Sequence, residues 1–371
     1  MRKLLRSITV LLSLLAALAL VVITLSVYVD PSKLYIFAFM GYIFPVVWGV
    51  NFIALGYWGV RMKKQIIIPL VALFIGWGQW QDTFQWSGES VEDMNVLENP
   101  VTIMTFNVKM FDLYHWSGRR DILDKTFDYI RKKNPDIVCF QEFYATNDNR
   151  KFSENYIVNR LKQYPYRHIE YQYTKHTIGR AGLAVFSKYP VRKKQVLRFE
   201  NTTNFTIQTD ISIRGKNVRL FNTHLESMRL NKQDIETIDK MKSAEGFENE
   251  KEIIPVMQKL GKAFKRRAYQ ADVISKHVKN SAYPVIICGD FNDSPVSYTY
   301  RTMRGDLKDA FVEAGKGFGG TYNGRLPSFR IDYILFDPSF DAYNYKRDKV
   351  ELSDHYPVTV TLDLNNKVSK K

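Results

Sequence analysis

The first 80 residues are dominated by long apolar runs, whereas the rest of the chain alternates short apolar runs with polar segments. Residues 7–29 carry no charge, and about 20 apolar helical residues are enough to cross a bilayer core. Residues 34–60 and 66–80 form a second and a third apolar stretch. A signal peptide is the alternative for the first run, but this run is long and no small-residue cleavage site follows it. The pattern predicts a transmembrane region of about three helices in residues 1–80.

Basic residues flank these three stretches unevenly. Three precede the first stretch and three lie between the second and the third, namely Arg2, Lys3, Arg6, Arg61, Lys63 and Lys64. Because cytoplasmic loops are enriched in Lys and Arg, we expect the N-terminus and the second loop in the cytoplasm. Three crossings then place the remaining chain on the extracytoplasmic side of a cell inner membrane. If the third stretch does not span, the remaining chain is cytoplasmic instead.

The chain turns polar and acidic over residues 81–100, which reads as a linker to a soluble domain at 101–371. Short β-rich apolar runs recur in that domain, at 101–108, 137–141, 183–186, 205–213, 218–222, 285–288 and 330–336. Amphipathic helical patterns lie between some of them, at 121–133 and 252–278. Alternating strands and helices with one adjacent strand pair predict an α/β fold with mixed sheets.

Charge and cysteine content change this picture only slightly. The chain has 53 basic and 38 acidic residues, and the soluble part keeps a moderate positive excess. Such a balance suits an anionic substrate or membrane surface, although it is a weak signal. Cys139 and Cys288 each lie inside an apolar run, which favours two buried free thiols. A disulfide between them would require neighbouring strands.

Polar residues stand at the ends of six predicted strands. They are Asn107, Glu142, His224, Asp290 with Asn292, Asp332, and Asp354 with His355. Taken singly, each has an ordinary structural explanation as a turn former, a helix cap or a buried histidine. Taken together, they predict a site, because strand ends are where ligands bind in α/β proteins.

Two of these blocks are specific: Gly-Asp-Phe-Asn at 289–292 and Ser-Asp-His-Tyr-Pro-Val at 353–358. In order with the three earlier strand ends, they resemble the endonuclease/exonuclease/phosphatase superfamily, which includes DNase I, exonuclease III-type repair nucleases, neutral sphingomyelinases and inositol polyphosphate 5-phosphatases. The resemblance covers residues 101–364. It implies a four-layered α/β sandwich of the DNase I-like type, with two mixed β-sheets face to face and helices outside.

Phosphoester chemistry accounts for the residue types. The substrate is anionic, so a site must neutralise charge, orient water and protonate the leaving group. Mg²⁺ or Mn²⁺ takes oxygen ligands, and we expect Glu142 as the main ligand with Asn107 and Asp354 beside it. Asp290 is expected to orient or deprotonate the attacking water, and Asn292 to hold that water or a phosphate oxygen.

The remaining candidates carry or stabilise charge. His355 paired with Asp332 forms a carboxylate–imidazole dyad whose imidazole would stay charged beside the phosphoryl group. The resemblance implies that His224 contacts phosphate and acts as general acid. Arg180, which precedes an apolar run, is a candidate phosphate contact in the substrate-binding set.

The sequence departs from the resemblance at one position. Repair-type nucleases have an acidic metal ligand two residues after the first Asn, whereas this chain has Lys109, and the nearest acid is Asp112 in a predicted loop. The Asn-Thr-His-Leu block at 222–225 resembles the DNase I, sphingomyelinase and phosphatase branches. Abasic-site repair is therefore disfavoured.

These observations predict a membrane-anchored, metal-dependent hydrolase, a phosphodiesterase or phosphatase that acts on lipid or small phosphoesters through in-line attack by water. A membrane-anchored extracytoplasmic nuclease is the alternative, so nucleic acid remains a candidate partner beside the bilayer. A non-catalytic binding module on the same fold is the second alternative. Loss of Glu142, Asp290 or His355 would have favoured that module, and all three are present.

Overall fold

The computed structural model describes residues 2–148, 150–172, 179–242, 250–324 and 329–364. The helices are α1 (Arg2–Ser26), α2 (Pro31–Leu34), α3 (Phe44–Val60), α4 (Ile67–Ile75), α5 (Trp77–Thr83), α6 (Ile122–Lys133), α7 (Glu154–Arg160), α8 (Lys232–Lys242), α9 (Glu250–Lys279), α10 (Tyr298–Arg304) and α11 (Ala310–Ala314). The strands are β1 (Pro100–Asn107), β2 (Ile137–Thr146), β3 (Tyr166–Tyr171), β4 (Gly179–Ser187), β5 (Val191–Arg198), β6 (Phe205–Ile213), β7 (Lys216–His224), β8 (Val285–Asp290), β9 (Lys308–Asp309), β10 (Asp332–Phe336), β11 (Asp341–Arg347) and β12 (Val358–Asp363). Short 3₁₀ helices cover Tyr35–Ile43, Lys64–Ile66 and Met94–Val96, and a left-handed turn covers Lys109–Asp112.

The chain forms two compact units, and neither is a single continuous segment. The first contains residues 1–83, 226–273 and 293–303, and the second contains residues 84–225, 274–292 and 304–371. The proposed boundaries at residues 80 and 100 remain a prediction about domain organisation.

The second unit contains two six-stranded mixed sheets. The first has the order β11-β12-β1-β2-β4-β3, and the second has the order β5-β6-β7-β8-β10-β9. Each sheet has one parallel pair near its centre, β1 with β2 and β7 with β8. The predicted DNase I-like sandwich with two mixed sheets is confirmed.

Apolar side chains alternate along these strands and fill two cores. The inner core joins both sheets, with Ile103 and Val185 from one and Ile207 and Leu220 from the other. The outer core lies between the first sheet and helices α6 and α7, around Phe127, and it explains the amphipathic pattern predicted for 121–133. Burial of each such side chain stabilises the fold by about 1.5–3 kcal/mol before entropy is counted.

Both thiols are free and buried, as the sequence favoured. Cys139 is in β2 and Cys288 is in β8, so they belong to different sheets and meet in the inner core.

The parallel pairs bring the predicted polar strand ends to one edge of the sandwich. Asn107 pairs in register with Gln141, the residue before Glu142. His224 pairs with Asp290, and Asp290 pairs with Asp332 of the antiparallel neighbour β10. The fold therefore collects residues that are more than 200 positions apart in the sequence at one edge.

The first unit packs the N-terminal apolar helices together. Leu20 and Ile23 of α1, Trp48 of α3 and Leu73 of α4 share one buried cluster. The segments Lys3–Ser26 and Pro31–Val60 have the length and composition of membrane spans, which a signal sequence near an N-terminus also has. The predicted stretch 34–60 contains a 3₁₀ helix followed by α3, and the stretch 66–80 is divided into α4 and α5 at Gly76.

The loop between α1 and α3 packs on α9 within this first unit. Phe39 and Tyr42 contact the buried cluster around Phe264, and the rings of Phe39 and Phe264 meet edge to face at 4.8 Å. A Cβ atom on Gly41 would lie 1.9 Å from the carbonyl oxygen of Val296, so only glycine allows this close approach of two backbones.

Candidate active site

The end of β1 presents Asn107 between two carboxylates. Its Nδ2 donates to Asp290 Oδ2 at 3.0 Å and approaches Glu142 Oε1 at 3.5 Å. Its Oδ1 accepts from the backbone N–H of Lys109 at 3.1 Å. That backbone bond sets the orientation of the amide, so in this arrangement Asn107 acts as a donor to the carboxylates. It would reach a metal through Oδ1 only after its amide turned.

Glu142 lies in an irregular part of β2. The pairing of β2 with β4 shifts register between Phe140 and Phe143, and Glu142 has a left-handed φ of 50°. A bulge re-aims a side chain beside a functional site. The carboxylate of Glu142 is 32% exposed, and burial raises its pKa, with a further contribution from the negative charge of Asp354. A cation beside it would reverse this effect.

Asp290 is as deeply buried as Asp332, with 1% of its surface exposed. Besides Asn107, it accepts the backbone N–H of Asn292 at 2.8 Å through Oδ1. Burial raises the pKa of Asp290 to about 6, with the nearby Asp332 acting in the same direction. A carboxylate with this pKa can accept a proton near neutral pH, which suits a general base.

Two local backbone features position Asp290. Gly289 has φ 140°, and a Cβ there would lie 2.0 Å from the carbonyl oxygen of Thr223, so β8 needs glycine to run this close to β7. Asn292 takes a left-handed φ of 54° and donates from Nδ2 to the Leu225 carbonyl at 3.1 Å. The Gly-Asp-Phe-Asn block thus joins the loops after β7 and β8.

His355 and Asp332 form the predicted dyad. His355 Nδ1 lies 2.9 Å from Asp332 Oδ2, and its Nε2 lies 3.7 Å from Asp290 Oδ2. Burial disfavours the imidazolium, but the charges of Asp332 and Asp290 outweigh it and raise the pKa of His355 to about 10. The imidazole is therefore cationic at neutral pH. The backbone N–H of Asp332 donates to Thr321 Oγ1 at 3.1 Å and holds the start of β10.

His224 completes the cluster from the end of β7. Its Nε2 lies 3.7 Å from Asp290 Oδ2 and 3.8 Å from Glu142 Oε1. Asn204 Nδ2 donates to the His224 carbonyl at 3.1 Å and fixes the backbone there. The imidazole thus borders both carboxylates.

Arg180 lies in β4, where its guanidinium donates to Asn147 Oδ1 at 2.8 Å and lies 4.2 Å from the centre of the Tyr171 ring. These contacts join β4 to the end of β3 and to the residue that follows β2. A role for Arg180 in substrate binding remains a prediction.

Lys109 has a place in the site that sequence reasoning did not assign. Its ammonium lies 2.6 Å from Asp354 Oδ2. Residues 109–112 all have left-handed φ values, between 44° and 56°, which costs roughly 1 kcal/mol or more for each non-glycine residue. Buried Phe111 anchors the turn against Phe127 and Phe143.

An amide network that joins the two sheets was also missed. Gln141 Nε2 donates to Asn222 Oδ1 at 2.6 Å, and Asn222 Nδ2 donates to the Phe140 carbonyl at 3.0 Å. Both amides are fully buried. In the sequence, Gln141 comes one residue before Glu142 and Asn222 comes two residues before His224. The only sign of this network in the sequence was that each amide stands one or two residues before a site residue. An ordinary strand position explains that spacing equally well.

The donor set can be tested against a divalent cation. The ligand atoms of Asp290, Asp332 and His355 lie within 4.8 Å of one another. A protonated imidazole has no free lone pair, so this trio is a poor cation site. Glu142 is a partly exposed carboxylate, with 32% of its side chain accessible, and it fits a hard, oxygen-seeking ion better. Asp354, with 21% of its side chain accessible, lies beside it in an ion pair with Lys109.

The two mixed sheets define an α/β sandwich of the DNase I-like class. Residues 104–355 match the model of the endonuclease/exonuclease/phosphatase family, and the chain belongs to that family. Members of this superfamily are hydrolases that act on phosphoesters, generally with a divalent metal. Residues 2–83 match a domain of unknown function, DUF8431.

Solved structures show the same fold. An endonuclease/exonuclease/phosphatase from Bacteroides vulgatus is 20% identical with a TM-score of 0.52, over 72% of this chain and 100% of that one. A protein of the same description from Beutenbergia cavernae is 17% identical with a TM-score of 0.51, over 72% of each chain. The human Nocturnin catalytic domain is 15% identical with a TM-score of 0.51, over 71% of this chain and 94% of that one. No curated protein matches the chain.

Proposed function

We propose that this chain is a divalent-metal-dependent hydrolase of phosphoester bonds. The observation that carries the proposal is the His355–Asp332 pair held 3.7 Å from the buried base candidate Asp290. A fixed cation beside a base that titrates near neutrality suits attack by water on an anionic phosphoryl group.

The residues divide the reaction between them. Asp290 accepts the proton of the attacking water, whose oxygen forms the new bond to phosphorus, and Asn292 orients that water or a phosphate oxygen. His355 stabilises the charge that builds on the phosphoryl oxygens while Asp332 keeps its imidazole protonated. His224 in its protonated form donates to the leaving alkoxide as the old P–O bond breaks.

A metal ion fits this scheme at Glu142, with Asn107 and Asp354 beside it. We propose Mg²⁺, or Mn²⁺ in its place, because the donors are oxygens and the described residues contain no cysteine cluster. When bound, the ion would supply positive charge to the phosphoryl oxygens.

The N-terminal helices favour a lipid or small phosphoester as substrate, because an anchor would hold the site near lipid headgroups. The full-length protein in detergent micelles should be assayed on sphingomyelin, phosphoinositides, a simple aryl phosphodiester and DNA. We expect Mg²⁺-dependent hydrolysis with a lipid or small phosphoester preferred. Preference for DNA would favour the nuclease alternative, and no hydrolysis of any of them would favour a binding module.

We also propose that the site lies on the extracytoplasmic side of an inner membrane. The basic residues around α1 and before α4 favour a cytoplasmic N-terminus. Packing limits which segments can share a side of the membrane without identifying that side, because Tyr42 in the loop after α1 donates to Asp293 Oδ1 at 3.4 Å and Phe39 packs on α9. This loop and α9 must then share one side of the membrane. If α1 and α3 span, the chain has to return across the membrane through α4 and α5.

A C-terminal fusion to alkaline phosphatase, which folds to its active form only after export, is expected to be active in intact cells. A fusion to a cytoplasm-restricted fluorescent protein should be dark. Moving the three basic residues at 61–64 to positions 30–33 should weaken this orientation. An inactive phosphatase fusion together with a fluorescent cytoplasmic reporter fusion would reject the proposed topology.

A further inference from the structure

Lys109 forms an ion pair with Asp354. Its Nζ lies 2.6 Å from Asp354 Oδ2 and 5.1 Å from the centre of the Trp116 ring. The Lys109 side chain is 32% exposed and that of Asp354 is 21% exposed, so water screens the pair only partly.

The backbone fixes where this ammonium can go. The N–H of Lys109 donates to Asn107 Oδ1 at 3.1 Å, and the next three residues continue in the left-handed conformation. Phe111, which is 1% exposed, holds this turn in the outer core. The start of the Lys109 side chain is therefore held beside the end of β1, and the ion pair does not depend on a mobile loop.

An ammonium and a divalent cation compete for the same carboxylate. Lysine offers hydrogen-bond donors and no lone pair, so it cannot serve as a ligand itself. A divalent ion drawn to Asp354 would meet the positive charge of Lys109 within a few ångströms and would have to displace it.

We infer that Lys109 withholds Asp354 from the metal, so that the site takes a single divalent ion at Glu142. This inference rests on the proposed function and deepens it, since it names the residue that limits the ligand set. Lys109 then supplies a positive charge at the rim of the site, in place of the acidic side chain expected there from the resemblance.

The test measures Mn²⁺ binding to the full-length protein in detergent micelles. Electron paramagnetic resonance and calorimetry, both without substrate, give the stoichiometry and the Kd. The wild type should bind one ion. Lys109→Asn, an asparagine being tolerated at left-handed φ, frees Asp354 and should tighten Mn²⁺ binding on the order of tenfold. The double variant Lys109→Asn/Asp354→Asn removes the whole pair and should return the Kd to within threefold of wild type.

The chain offers a matched control. Lys133 Nζ lies 2.5 Å from Asp348 Oδ2 and 5.8 Å from the Tyr129 ring centre, with exposures of 35% and 23%. This pair reproduces the geometry of Lys109 and Asp354 at the end of α6. Lys133→Asn should leave the Mn²⁺ stoichiometry and Kd unchanged.

Three results would overturn the inference. Two ions in the wild type, or a change below threefold in Lys109→Asn, would show that Lys109 does not limit the ligand set. A tenfold or greater weakening in the double variant would show that Asp354 coordinates the ion despite Lys109. Absence of any bound Mn²⁺ in the wild type would contradict the metal dependence of the proposed function, and the inference with it. This outcome is distinguishable from the others, because in each of them the wild type binds Mn²⁺.

Discussion

Replacing His355 with alanine is expected to lower kcat by on the order of 10²-fold or more, with a much smaller rise in KM. The physical reason is that the Asp332 and Asp290 carboxylates keep this buried imidazole cationic, and a cation there stabilises the transition state more than the ground state. Asp332→Asn should act in the same direction. The double variant should cost little beyond the worse single one, because the two residues work as a unit.

His168 provides the matched control, because it is also buried but is neutral instead of cationic. Its Nδ1 lies 2.8 Å from Thr209 Oγ1, and burial lowers its pKa to about 4, so it is neutral. His168→Ala should reduce the melting temperature while kcat per folded molecule stays nearly unchanged. A loss of less than threefold in His355→Ala, on protein shown to be folded by circular dichroism, would remove His355 from the catalytic residues.

The pH dependence of the wild type follows from the same geometry. His355 is charged below its pKa of about 10, so its own contribution should be complete at neutral pH and lost as pH rises through 10. The proton that His224 donates is a separate requirement on the alkaline side. Asp290 is a base only above its pKa of about 6, so activity should fall as pH drops through 6. Asp332→Asn should move the alkaline limb towards neutral pH, because the imidazole loses its principal counter-charge.

Replacing Glu142 with glutamine is expected to weaken Mn²⁺ binding by on the order of 10²-fold and to lower activity at limiting Mg²⁺ by a similar factor. The substitution keeps the shape of the side chain and removes the charge that attracts the ion. Raising the Mg²⁺ concentration should recover part of the lost activity.

Glu154→Gln is the corresponding control. Glu154 lies on α7, where its carboxylate accepts a hydrogen bond from the Tyr171 hydroxyl at 2.7 Å, and it takes no part in the proposed chemistry. It should leave the metal requirement unchanged. Equal metal dependence in Glu142→Gln and wild type would show that the ion binds elsewhere.

The strand-end residues could be predicted because each follows or begins a short apolar run whose length and β-rich composition favour a buried strand. Asp290 and His355 also stand in blocks whose glycine or proline constrains the backbone. Parallel pairing of β1 with β2 and of β7 with β8 then brings these ends together at one edge. The mixed sheets were predictable from the alternation of strands and helices for the same reason.

The remaining features depend on backbone conformations and distant contacts that local patterns do not encode. Four consecutive left-handed residues after Val108 run against the intrinsic preference of each, and the packing of Phe111 compensates for them. The bulge at Glu142 is likewise set by pairing with β4. Sequence alone therefore identified Lys109 as a departure without showing that it pairs with Asp354.

The association of residues 226–273 with the N-terminal helices also could not be predicted from local sequence patterns. The amphipathic face of α9 was visible in the sequence, but its partners Phe39 and Tyr42 are more than 200 residues away. Apolar stretches near an N-terminus read as membrane spans by hydropathy, and hydropathy does not report which loop packs on which helix.

The most direct test of phosphoester hydrolysis is a metal-chelation assay on the full-length protein with a simple aryl phosphodiester. We predict turnover in Mg²⁺, its loss in EDTA, its return when Mg²⁺ is added in excess, and its absence in the Glu142→Gln/His355→Ala double variant under all three conditions. Full turnover in EDTA, or turnover that survives in the double variant, would contradict the proposed metal-dependent site.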